Sequence, residues 1–113
     1  MPENANELLH GTLDALILKT LAWGPRHGYA VAAWLEQTTG ETLRIEDGSL
    51  YPALYRLEKR GLIEAEWGTS DMGRRAKFYS LTRAGRTRLK TEVRQWSEFS
   101  AAVSKVLLSP TTG

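Results

Sequence analysis

From Asp47 to Gly61 the chain reads Asp-Gly-Ser-Leu-Tyr-Pro-Ala-Leu-Tyr-Arg-Leu-Glu-Lys-Arg-Gly, and here residue types and spacing are best suited to binding chemistry. At about 100° per residue, the period of a helix, Leu50, Ala53, Leu54, Leu57 and Gly61 share one arc. Ser49, Pro52, Tyr55, Arg56 and Lys59 share the opposite arc, with Tyr51 on the border between core and surface. That second arc carries a hydroxyl, an aromatic ring and two cations but no carboxylate, Glu58 lying to the side. Surface helices usually mix their charges, so such a face suits a polyanion. Arg56 has the fork to take guanine O6 and N7 or a phosphate, and Lys59 suits a phosphate. Ser49 could donate to a phosphate or cap the helix.

The next residues extend this chemistry. Leu62 to Gly68 alternates apolar and polar side chains, the period of a half-buried strand. Thr69 to Arg75 is rich in turn formers, and Ala76 to Leu81 reads as a second strand, giving a hairpin flanked by Arg74, Arg75 and Lys77. A helix followed at once by a basic β-hairpin is the order of a winged helix-turn-helix. Its recognition helix enters the major groove while the wing reaches the neighbouring backbone or minor groove. His27 and Tyr29 open the preceding helix, where free backbone N–H groups favour a phosphate. A buried, hydrogen-bonded Tyr29 is the alternative.

Catalysis finds little footing. There are two histidines, no cysteine and no convergent carboxylate pair with a base beside it. His10 and His27 are too few for a metal site. Gly24-Pro-Arg-His-Gly28 lacks the Gly-Lys-Ser/Thr ending of a phosphate loop. The sequence therefore predicts neither an enzyme nor a bound cofactor or metal.

The elements that must position these residues follow from periodicity and composition. A chain of 113 residues has the length of a single domain. No apolar run approaches the ~20 residues of a membrane span, because Asp14 and Lys19 interrupt the greasiest segment. The polar N-terminus lacks the basic and apolar regions of a signal peptide, so the expected location is cytoplasmic. The net charge of +2 conceals an asymmetry: residues 1–55 carry a balance of −4 and residues 56–94 one of +6. Between Arg74 and Lys90 stand seven cations and no carboxylate, the electrostatic footprint of a phosphate-binding surface or a solvated basic helix face.

Leu8, Leu9, Leu13, Leu16, Ile17 and Leu21 recur at helical spacing, predicting a first helix over residues 7–22 with Asn6 as cap. A turn at Trp23 to Arg26 leads to a second helix over residues 27–39, with Val31, Trp34 and Leu35 facing inward and Gly40 closing it. Glu41 to Ile45 reads as extended. Pro52 is expected in the first turn of the recognition helix, where a missing N–H costs least. Thr82 caps a last helix running to about Leu108, roughly 40 Å long by helical rise. Within it Leu89, Val93, Trp96, Ser100, Val103 and Leu107 are spaced 4-3-4-3-4, a heptad seam. Such a stripe either packs on the protein's own core or meets a second copy. A helix this long overhangs a small domain, which favours a homodimer.

Several of these segments together resemble the PadR family of bacterial transcriptional regulators. They are Leu9-x-Gly11-Thr-Leu-Asp-Ala-Leu-Ile-Leu18, His27-Gly-Tyr29, Gly48-Ser-Leu-Tyr-Pro-Ala-Leu-Tyr-Arg-Leu-Glu58, Arg60-Gly-Leu-Ile63 and Tyr79-Ser-Leu-Thr-x-Ala-Gly85. The match covers nearly the whole chain, and its length fits the family's short branch, which ends in one long helix. The resemblance implies a mainly α fold with a small β-hairpin: a winged helix-turn-helix head over residues 7–81 and a C-terminal dimerisation helix over residues 82–108. It further implies a dimeric repressor on a double-stranded, pseudo-palindromic operator, often released by a small molecule. Short PadR-like regulators bind planar drugs between subunits, which makes Trp96 the candidate for stacking an aromatic effector. Leu8, Leu9, Asp14, Phe99 and Val103 are expected around it, unless the interface is packed without a pocket. The competing reading is a winged helix used as a protein-interaction module. Such a module favours an apolar patch on the face that here carries Ser49, Pro52, Tyr55, Arg56 and Lys59.

Overall fold

The computed structural model describes residues 11–111. Gly11 and Thr12 form a turn, and helix α1 spans Leu13–Thr20 with Leu13, Ile17 and Leu18 buried. The expected start at residue 7, its Asn6 cap and the side chains of Leu8 and Leu9 lie outside the described residues. A 3-10 turn at Leu21–Trp23 follows, then a two-residue strand β1, Arg26–His27. Helix α2 spans Gly28–Thr38, α3 Asp47–Lys59, β2 Ile63–Thr69, β3 Arg75–Leu81 and α4 Arg83–Leu107. The three strands form an antiparallel sheet in the order β1-β3-β2. β1 falls where the sequence suggested the end of a turn at Arg26 and the start of a helix at His27: both residues borrow the free edge of β3 opposite Tyr79 and Phe78.

The buried residues come from every element of the head except β1. Leu13, Ile17, Leu18 and Leu21 meet Val31 and Leu35 of α2, the α3 stripe of Leu50, Ala53, Leu54 and Leu57, and Ile63, Tyr79 and Leu81 of the sheet. Trp34 is only partly buried. Its ring lies 5.5 Å from that of Trp23, with the Arg26 guanidinium over it. The segment after α2 is a series of turns rather than extended chain, pinned by the Ile45 N–H donating to Glu36 Oε2 at 2.8 Å. Ile45 itself is buried.

Helix ends explain much of the motif spacing. At the end of α3 the Leu62 N–H donates to the Leu57 carbonyl and the Gly61 N–H to that of Glu58, a Schellman closure. Gly61 adopts φ 75°, a left-handed geometry that costs glycine nothing. This is why Gly61 leaves the apolar arc to which the helical period assigned it. Thr82 Oγ1 accepts the Gly85 N–H at 3.0 Å and donates to the Gly61 carbonyl at 2.6 Å, tying the start of α4 to the end of α3. A Cβ on Gly85 would overlap the Leu62 carbonyl oxygen, so Thr82-x-x-Gly85 joins wing, recognition helix and long helix at one point.

Candidate nucleic-acid interface

Helix α3 separates its two arcs as its sequence suggests. Leu50, Ala53, Leu54 and Leu57 are buried, while Ser49, Pro52, Tyr55, Arg56 and Lys59 are exposed. The helix opens at Asp47 with Glu46 in the N-cap position. Ser49 is thus the third helical residue and does not cap, leaving its hydroxyl on the surface. Pro52 stands sixth, in the second turn and not the first, and has no N–H to give to the Gly48 carbonyl. Tyr55 is 62% exposed, and the Lys59 ammonium lies 5.6 Å from its ring centre, so ring and cation form one exposed unit.

Arg56 follows a different path. Its Nη2 donates to Asp14 Oδ1 of α1 at 3.2 Å, and Arg60 Nη1 lies 3.8 Å from Asp14 Oδ2. The sequence grouped Asp14 with an effector pocket, whereas the structure joins it to the recognition helix. A pairing across 42 residues leaves no local signal in a sequence.

The His-Gly-Tyr segment resolves into three roles. His27 Nδ1 accepts the Ala30 N–H at 3.2 Å and caps α2, while its ring meets Phe78 edge-on. Gly28 lies beneath the Tyr51 ring, where a Cβ would come within 2.8 Å of Tyr51 Cε1. Tyr51, on the border of the two arcs, therefore rests the far end of its ring on the N-terminal end of α2. Tyr29 is 75% exposed, which answers the alternative of a buried tyrosine.

The wing turn is closed by the Ser70 N–H donating to the Arg74 carbonyl at 2.7 Å and by the Gly73 N–H donating to Ser70. Arg74 is exposed at this turn, and the Arg75 guanidinium stacks 4.5 Å from the Trp67 ring centre. Trp67 is itself largely exposed. It sits on the apolar rhythm of β2 but beyond the edge of the core, so an arginine covers it. Lys77 points back along the sheet, its ammonium 3.4 Å from Glu58 and over the Tyr79 ring. Burial raises the Tyr79 hydroxyl above its ordinary pKa, partly opposed by Lys77. Tyr29, Arg26, Arg74 and Arg75 line one open groove of about 760 Å³ between α2 and the wing. Exposed hydroxyl, aromatic and guanidinium groups thus border α3, the start of α2 and the wing, which fits phosphate and base-edge contact.

Residues 17–91 match the sequence model described as the transcriptional regulator PadR-like family. The chain belongs to the PadR-like family of transcriptional regulators. A transcriptional regulator of Mycobacterium tuberculosis is 39% identical over 72 residues, 63% of this chain and 66% of that one. Among solved structures, a transcriptional regulator from Clostridium thermocellum superposes with a TM-score of 0.81 at 28% identity, covering 89% of this chain and 98% of that one. A PadR family regulator from Eggerthella lenta gives 0.77 at 34% identity, covering 92% and 88%. The protein is accordingly a DNA-binding transcriptional regulator with a PadR winged-helix fold, and not an enzyme.

The long helix of this PadR-like chain departs from a simple heptad seam. Leu89 packs against the head's own core. Val93 borders Lys19 and Lys90 on one flank. On the other flank Trp96, Phe99, Ser100, Val103 and Leu107 face Gly11, Thr12 and Ala15 across an open cleft of about 580 Å³. The Trp96 and Phe99 rings stand 6.4 Å apart in that cleft. No helix among the described residues is long and apolar enough to cross a membrane.

Proposed function

We propose that the protein is a homodimeric repressor acting in the cytoplasm on a pseudo-palindromic operator. Residues 7–81 form the DNA-binding head and residues 82–108 the dimerisation helix. The observation that carries the reading is the surface of α3: Ser49, Pro52, Tyr55 and Lys59 lie exposed around a fully buried Leu50-Ala53-Leu54-Leu57 stripe. Tyr51 braces this helix against α2, and Arg74 and Arg75 extend the same chemistry on the wing. In this reading Ser49, Pro52, Tyr55, Arg56 and Lys59 meet the major groove, and Tyr29 and the wing arginines meet the flanking backbone. His27 and Tyr51 act by holding the helices, and Lys77 by anchoring the wing to α3. A protein-interaction module would present an apolar patch here, and the face of α3 is polar and cationic.

The exposed apolar side of α4, with Val93, Trp96, Phe99, Val106 and Leu107, supports dimerisation through this helix. In this reading a second copy covers it, and the Trp96–Phe99 cleft is where a planar aromatic effector would stack. Each ring face adds roughly 0.5–1.5 kcal/mol beyond burial. An effector that prefers the non-binding spacing of the two α3 helices releases the DNA. The experiment is a titration of DNA from the protein's own promoter against shuffled DNA of equal length, at several salt concentrations. A repressor prefers its promoter at every salt concentration and silences a reporter placed behind it. Equal affinity for both DNAs, with no silencing, contradicts the reading.

A further inference from the structure

Asp14 stands in the first turn of α1, between Thr12 and Ala15, both of which line the cleft against α4. Its carboxylate turns away from that cleft. One oxygen accepts a hydrogen bond from Arg56 at 3.2 Å and the other faces Arg60 at 3.8 Å. Arg56 and Arg60 are four residues apart at the end of the recognition helix, hence neighbours on one side of it. A single carboxylate therefore sits between two guanidiniums. Their side chains are about half exposed, so the pairing contributes little to stability. Its consequence is directional, because a guanidinium fork held on one edge presents its other N–H groups along a fixed line.

We infer that Asp14 is a positioning residue for operator recognition, holding Arg56 in the orientation from which it meets DNA and restraining Arg56 and Arg60 from acting as loose phosphate-binding cations. The inference rests on the regulator reading above. Without the carboxylate, two long cations sweep the flank of α3. They gain affinity for any phosphate backbone and lose the geometry that separates one sequence from another.

The test compares the full-length protein with Asp14→Asn on promoter DNA and on shuffled DNA across a salt series. Shuffled-DNA affinity rises, and its salt slope steepens by about 0.9 for each cation newly engaged. The ratio of promoter to shuffled affinity falls on the order of fivefold, the scale of one impaired base contact. The thermal midpoint stays unchanged, Asp14→Glu restores the ratio, and in a background carrying both Arg56→Gln and Arg60→Gln, Asp14→Asn no longer alters it. Wild-type protein that prefers its promoter while Asp14→Asn leaves ratio and slope unchanged overturns this inference alone. So does an effect on the ratio that persists in the double Arg56→Gln, Arg60→Gln background. Wild-type protein with no preference for any DNA overturns the regulator reading and this inference together.

Discussion

At the scale of single residues, two glycines carry different work. Gly85 lies against the Leu62 backbone carbonyl, and neither partner can rotate away. Gly85→Ala should cost roughly 1–3 kcal/mol or more of stability, the usual penalty for overpacking, read as a lowered denaturant midpoint. Gly28 lies against the far end of the Tyr51 side chain, which is exposed enough to swing aside. Gly28→Ala should therefore leave the midpoint nearly unchanged and instead weaken promoter binding, measured by anisotropy. Equal loss of stability in both variants would contradict this division. Arg75→Ala should reduce the salt slope of DNA binding by about 0.9, the contribution of one phosphate contact, while Lys77→Ala should disturb the wing's hold on Glu58 more than that slope. The sequence alone marks all these residues as basic or small. What it cannot supply is direction: Arg56 toward Asp14 and Lys77 toward Glu58 are settled by side chains meeting across the fold, while His27 turns locally to the Ala30 N–H of its own helix.

At the scale of elements, long periodic segments were legible because burial selects one face. The α3 stripe and the Thr82 cap stand where period and capping chemistry put them. Short or edge-dependent structure was not legible. β1 is two residues long and pairs along the edge that β3 offers, and Trp34 packs against the rim of the core, half-buried, with Trp23 and Arg26 beside its ring. Pro52 is another case. Helix α3 starts at Asp47, two residues after buried Ile45, so the proline falls in the second turn. In α4, Leu89 packs on the core of the head, and none of the later residues joins that core. Truncation after Lys90, which keeps Leu89 on the core, should leave a folded head that no longer dimerises. Sedimentation reads this directly, and a stable truncated dimer would place the interface elsewhere.

At the scale of the whole molecule, the longest dimension is 60 Å against 31 and 21 Å for the others, because α4 projects beyond the head. An apolar projection of that kind is costly in water and points to pairing about a two-fold axis. Val103→Asp would bury a carboxylate in that pairing, at a cost of several kcal/mol if unrelieved, and should yield monomers with weakened promoter binding. Trp96→Ala should leave the dimer and its promoter affinity largely intact while abolishing quenching by planar aromatic compounds. The chain has four tryptophans, so the quench is read as the difference between wild type and variant.

In the proposed repressor two copies of α3 read two half-sites. Hydroxyl-radical footprinting of the full-length protein on its own promoter tests it most directly. Two copies of α3 should protect two inverted half-sites whose centres lie about 34 Å, or roughly 10 base pairs, apart or a whole multiple of that. Both protections should fade together in Val103→Asp. A single unpaired footprint, or uniform protection that follows no sequence, would contradict it.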